Sequence, residues 1–109
     1  MFILTGENMQ KITSKQLNDS YILFIYSTFC GTCTVARAML EKIEEIHNQT
    51  IFLEMNANFE EPFLHEYKIE SVPCLLIVEN NEVKEKIYTF YSTGNIYRYL
   101  YEYRPEMFK

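Results

Sequence analysis

The sequence predicts an α/β fold, a central mixed β-sheet with helices on both faces. Three observations carry that expectation. Tyr21-Ile22-Leu23-Phe24-Ile25-Tyr26 is a nearly unbroken apolar, β-branched and aromatic run, the pattern of a strand covered on both sides. From Thr32 to His47 the apolar period becomes that of a helix. Further strand-like and helix-like segments then alternate toward the end of the chain.

Each element has its own justification. Gln10-Lys11-Ile12 reads as a short first strand, and Thr13 or Ser14 caps a helical turn through Leu17. In the long helix Val35, Met39, Ile43 and Ile46 fall on one stripe, the expected buried face. Arg37, Glu41, Glu44 and Glu45 fall largely off it, and the acids read as a solvated face. Ala36, Ala38, Leu40 and Lys42 are good helix formers, so propensity agrees with pattern. Thr50 to Met55 is the next strand, Asn56-Ala57-Asn58 follows it, and Glu60 to Tyr67 is a short helix with acids near its start. Pro73 to Val78 follows as a strand, with proline acceptable only at its first residue. Asn80-Asn81 tolerates positive φ and predicts a tight hairpin to Val83–Tyr88, which makes the sheet mixed. In the tail Tyr97, Tyr99, Tyr101 and Tyr103 alternate as in a strand, yet Ile96, Leu100 and Tyr103 share a helical face. An exposed tyrosine edge would be a pairing hazard, so a helix is expected, with Gly94-Asn95 just before its start.

Length and composition bound the function. The chain has 109 residues, which is one domain over 1–109 with no room for a second core. Hydrophobic content of 48% excludes disorder by composition. A net charge of −5 repels a phosphate backbone or an anionic membrane, so neither nucleic acid nor membrane is an expected partner. Met1-Phe2-Ile3-Leu4 is too short and lacks the basic start of a secretory signal. Three cysteines are too few for a disulfide-stapled miniprotein, and the odd count argues against a fully paired secreted framework. A reducing cytoplasm is the expected compartment, where close cysteines are catalytic or metal-binding.

Cys30-Gly31-Thr32-Cys33 lies between the buried strand and the long helix. That places both sulfurs at a helix N-terminus, where unpaired N–H groups and the macrodipole favour an anion such as a thiolate. The exposed first sulfur should therefore be acidified and nucleophilic. The spacing also lets the two sulfurs close to about 2 Å as a disulfide. A zinc half-site is the competing use of two such cysteines. It needs two further ligands, and only Cys74, His47 and His65 are available.

Together with Ser71-Val72-Pro73 at the start of the next strand, this motif resembles the thioredoxin family over about Gln10 to Leu100. The resemblance implies a thioredoxin fold and thiol–disulfide oxidoreductase activity. It makes Cys30 the attacking thiol, Cys33 the resolving thiol and Pro73 a cis-proline against the sulfurs. Val72 would pair its backbone with an extended substrate, beside Phe29, Gly31 and Thr32. The implied partners are disulfide-containing proteins or low-molecular-weight thiols and a reductase, with no cofactor and no metal.

The chain departs from the family at several positions. Phe29 stands where tryptophan is usual, so an indole N–H is lost. Thr32 replaces proline between the cysteines, which should give a less reducing couple. Ala38 replaces the proline that kinks the helix, so this helix should run straighter. The family's buried aspartate aligns with Phe24, and its accompanying lysine with Glu54. Glu54 is then either the proton acceptor for Cys33 or a solvent-facing edge acid. Cys74 reads as a small core residue, with a third exchangeable thiol as the lesser reading. His47 reads as a surface residue compensating a helix dipole, His65 as solvent-facing, and the tail tyrosines as packing with their phenols at the surface. The losses at Phe29, Thr32 and Phe24 give weight to an alternative, a binding or adaptor module of this fold without efficient turnover. A metal adaptor through Cys30, Cys33 and Cys74 is a third reading.

Overall fold

The computed structural model describes residues 9–13, 15 and 17–105. The short apolar start at Met1–Leu4 lies outside them, as does Ser14, one of the two residues expected to cap a first helical turn. Among the described residues five strands form one mixed sheet: β1 (Gln10–Lys11), β2 (Tyr21–Tyr26), β3 (Leu53–Asn56), β4 (Cys74–Glu79) and β5 (Glu82–Ile87). Their spatial order is β1-β3-β2-β4-β5, with β1 and β2 parallel to β3, and β4 antiparallel to both β2 and β5. Among the described residues three α-helices complete the fold: α1 (Gly31–His47), α2 (Glu61–Glu66) and α3 (Thr93–Tyr103).

Side-chain alternation on the central strands sorts the core into two layers. Ile22 and Phe24 of β2 and Leu75 and Ile77 of β4 join Ala36, Leu40, Ile43, Ile96 and Leu100 beneath α1 and α3. Tyr21, Leu23 and Ile25, with Cys74, Leu76 and Val78, pack on the opposite face with Phe63 of α2. The sheet thus carries helices on both faces, as the run at Tyr21–Tyr26 requires. At its far edge Asn80 and Asn81 take φ of 54° and 65° and close the two-residue hairpin that their sequence predicts.

Several boundaries and faces differ from expectation, each for a physical reason. The buried face of α1 is Cys33, Ala36, Leu40, Ile43 and Glu44, whereas Val35 and Ile46 of the expected stripe are 56% and 58% exposed. The helix turns its small Ala36 and Leu40 to the sheet, so the apolar stripe is rolled about one residue. Glu44, expected on a solvated face, is 1% exposed. Its Oε2 accepts the backbone N–H of Ile51 and of Phe52, each at 2.8 Å. Those two donors are thereby taken out of the sheet, and β3 begins at Leu53, not at Thr50. The tail is helical, but it starts at Thr93 with Ser92 as its cap, the hydroxyl accepting from Asn95 N at 3.2 Å. Gly94 and Asn95 therefore lie inside α3.

Two polar ties hold the end of α3 to the β4–β5 hairpin. Tyr103 Oη donates to Glu85 at 3.0 Å, and Arg104 pairs with Glu79 at 3.2 Å. Among the described residues no helix is long and apolar enough to cross a membrane.

Candidate functional site

Cys30 is the N-cap of α1, extended at φ −139° and ψ 103°. Its sulfur occupies the place of a capping oxygen and accepts the backbone N–H of Cys33 at 3.2 Å. Thr32 Oγ1 lies 3.5 Å from the same sulfur. Cys30 and Cys33 are joined as a disulfide with Cα atoms 5.2 Å apart, so the sulfur has no proton and the hydroxyl is the donor. Cys30 is half-buried while Cys33 is 4% exposed and belongs to the core beneath α1. One sulfur faces outward and the other inward.

The loop that delivers Cys30 is pinned from the next crossover. Thr28 N donates to Asn58 Oδ1 at 2.9 Å, Asn56 Nδ2 donates to Thr28 Oγ1 at 3.2 Å, and Asn58 N donates to Asn56 Oδ1 at 2.9 Å. Sequence reasoning gave these asparagines no role. Their signal is the spacing of two Asn at the end of a strand that neighbours the site.

Beside the sulfurs runs a groove of about 420 Å³, lined among others by Thr32, Val35, Val72, Pro73, Phe90 and Tyr91. None of its lining side chains carries a charge. The Val72–Pro73 peptide bond is cis, Pro73 is buried, and Val72 packs against both core layers. Phe29 is 98% exposed and Tyr91 79% exposed. A Cβ added to Gly31 would meet no atom within 4 Å, so that residue fronts open space. The structure thus brings Thr32, Val72 and Pro73 to one groove and leaves Phe29 standing out from the surface. Phe90 and Tyr91 were missed because a loop before a helix carries no periodic signal.

Between α1 and the sheet lies a partly buried ion pair. Phe24 is fully buried and is the register partner of Glu54 on β3. Glu54 is 3% exposed on an interior strand, which removes the reading of a solvent-facing edge acid. Its Oε2 accepts from Arg37 Nη1 at 2.8 Å. Arg37, read from sequence only as lying off the apolar face, stacks over Tyr26 at 4.6 Å and Phe24 at 5.5 Å from the ring centres. No apolar pattern could reveal that.

The remaining candidates lie elsewhere. Cys74 is fully buried on the sheet face opposite Cys33, and burial pushes its thiol up to about 12. That packing makes it a core residue. His47 is the last residue of α1 and its Nε2 lies 2.9 Å from Tyr97 Oη. His65 is exposed on α2. Among the described residues no three His, Cys, Asp or Glu side chains come together to hold a metal ion.

Known proteins are similar to this chain. The chain is 39% identical over 80 residues to the thioredoxin-like protein YusE of Bacillus subtilis (strain 168), covering 73% of this chain and 76% of that one. It is 23% identical over 87 residues to the chloroplastic thioredoxin-like protein CITRX of Solanum tuberosum, covering 79% of this chain and half of the relative's length. Among solved structures, oxidised mitochondrial thioredoxin 3 from Saccharomyces cerevisiae superposes with a TM-score of 0.71 at 15% identity, covering 89% of this chain and 97% of that one. A mutant thioredoxin from Halobacterium salinarum NRC-1 superposes at 0.73 and 14% identity, covering 93% and 95%. These two likenesses speak for the fold. The thioredoxin family model matches residues 1–101, and with a paired Cys30–Cys33 at the mouth of α1 the chain belongs to the thioredoxin family.

Proposed function

We propose that the chain is a single-domain thiol–disulfide oxidoreductase that exchanges the Cys30–Cys33 dithiol with disulfides of proteins or low-molecular-weight thiols. One observation carries this reading: the outward sulfur caps α1 beside an uncharged groove and is bonded to an inward, buried partner. In the reduced protein the Cys30 thiolate attacks a substrate disulfide and expels one substrate thiolate. The mixed disulfide is resolved when Cys33 gives up its proton and attacks the Cys30 sulfur, so the second substrate thiolate leaves and the protein is oxidised by two electrons. Glu54 is the acceptor of the Cys33 proton in this reading. Val72 and Pro73 seat an extended substrate backbone, and Phe29, Gly31 and Thr32 form the surface it approaches. A reductase returns the electron pair, and a reducing cytoplasm is the setting that suits the three cysteines.

The test is alkylation of Cys30 across pH, in the reduced wild type and in Cys33→Ser. An oxidoreductase gives a Cys30 that reacts well below the pH at which a free thiol does, and a Cys33→Ser protein that retains partners as mixed disulfides. A Cys30 that reacts like a free thiol and retains nothing overturns the reading in favour of a binding module.

A further inference from the structure

Glu54 has one oxygen occupied and one open. Oε2 is held by Arg37, while Oε1 is buried and has no hydrogen-bond partner. Arg37 lies four residues beyond Cys33, one turn further along the same face of α1. Helical side chains lean toward the N-terminus, which carries the Arg37 stem back toward the turn that holds Cys33. The Tyr26 and Phe24 rings beneath the guanidinium keep it in place from the sheet side.

We propose that Arg37 is a positioning residue for the closing step of exchange: it fixes the Glu54 carboxylate so that Oε1 is the oxygen that takes the Cys33 proton. The proposal rests on the reading of Glu54 as proton acceptor. In this step the Cys33 S–H bond breaks and the proton passes to Oε1, directly or through one water. The thiolate bonds to Cys30 Sγ, the bond from Cys30 to the substrate sulfur breaks, and the substrate leaves as a thiolate. The mixed disulfide itself is the oxidant. The charged and titratable groups around the carboxylate are Arg37 and Glu44 from α1, Tyr26 from β2, and Lys11 at the paired position of β1. Arg37 is the cation in direct contact. A carboxylate in apolar surroundings without its cation keeps its proton to higher pH.

The experiment mixes reduced protein with dithiobis(nitrobenzoate) in a stopped-flow instrument. Attack by Cys30 releases a first coloured thiolate, and closure by Cys33 releases a second. In Arg37→Met the second phase slows about tenfold at neutral pH. The pH of its half-maximal rate rises by about one unit. Arg37→Lys falls between this variant and the wild type, and the first phase is the same in all. Glu54→Gln loses the acid limb of the second phase, and adding Arg37→Met to it changes nothing more. A wild-type profile in Arg37→Met, with the limb still lost in Glu54→Gln, overturns the role of Arg37 and leaves that of Glu54 standing. An unchanged profile in Glu54→Gln overturns the acceptor reading and this inference with it. Equal slowing by Arg37→Met in the Glu54→Gln background also overturns it, because Arg37 would then act by another route. If Arg37→Met does not fold, Arg37→Lys decides alone: a smaller shift in the same direction supports the proposal, and no shift overturns it.

Discussion

Thr32 changes the redox pair in two ways, and only one of them was visible in the sequence. It returns a backbone N–H and a freer φ to a position where proline is usual. Its hydroxyl also reaches the Cys30 sulfur at 3.5 Å. A sulfur anion accepts such a bond more strongly than a disulfide sulfur does, so the bond favours the reduced protein and makes the couple more oxidising. An exposed bond at this distance contributes about 1 kcal/mol. For a two-electron couple that is about 20 mV. Thr32→Val should therefore lower the potential by about that amount when both proteins are equilibrated with glutathione. The wild type itself should lie above about −270 mV. A potential unmoved by Thr32→Val would mean that the hydroxyl does not bear on the sulfur's charge.

At the scale of elements, the connection from α1 to β3 depends on one buried carboxylate. Burial raises the Glu44 carboxyl above the usual glutamate range, opposed by the two backbone N–H groups and reinforced by the charges of Glu41 and Glu54. Glu44→Ala leaves the Ile51 and Phe52 donors unpaired and should cost about 3 kcal/mol in urea denaturation. Glu44→Gln keeps an acceptor and removes the titration. Because the folded carboxyl binds its proton more tightly than the unfolded one, its contribution to stability is full below about pH 4.5 and declines as pH rises through the raised value. The Gln variant should therefore gain on the wild type between pH 4.5 and 7, and a constant difference would show that Glu44 binds its proton no more tightly in the folded than in the unfolded chain. The same carboxylate marks the limit of what the sequence disclosed. Strand β2, the Asn80-Asn81 hairpin, the helical tail and the Cys30–Cys33 motif were legible because each is written in local pattern. The roll of α1, the start of β3 and the Arg37–Glu54 pair were not. They depend on polar atoms meeting across elements, and an acid at a helical position reads as solvated whether it is or not.

Across the whole molecule, the sheet is a wall between two apolar layers, and the redox pair sits at one end of it. Cys33 belongs to the layer under α1 and α3, Cys74 to the layer under α2. The two thiols can therefore report separately on how the molecule opens. Cys33 lies in the first turn of a helix, where fraying exposes a side chain with little loss of packing. Cys74 is sealed within a central strand, paired with β2 on one side and β5 on the other, and reaches solvent only when the sheet comes apart. Leu100 on α3 is fully buried, and Leu100→Ala should cost about 3 kcal/mol. If the domain unfolds cooperatively, that cost appears in full at Cys74, although Leu100 packs on the opposite face. In a reduced Cys30→Ser background, alkylation of Cys74 should accelerate about 100-fold while Cys33 changes by no more than a few-fold. Equal acceleration at both sulfurs would show that the resolving thiol is reached only through global unfolding. The closing step of exchange would then have to work within a rigid helix mouth, with Cys33 and its proton acceptor already in place before substrate arrives.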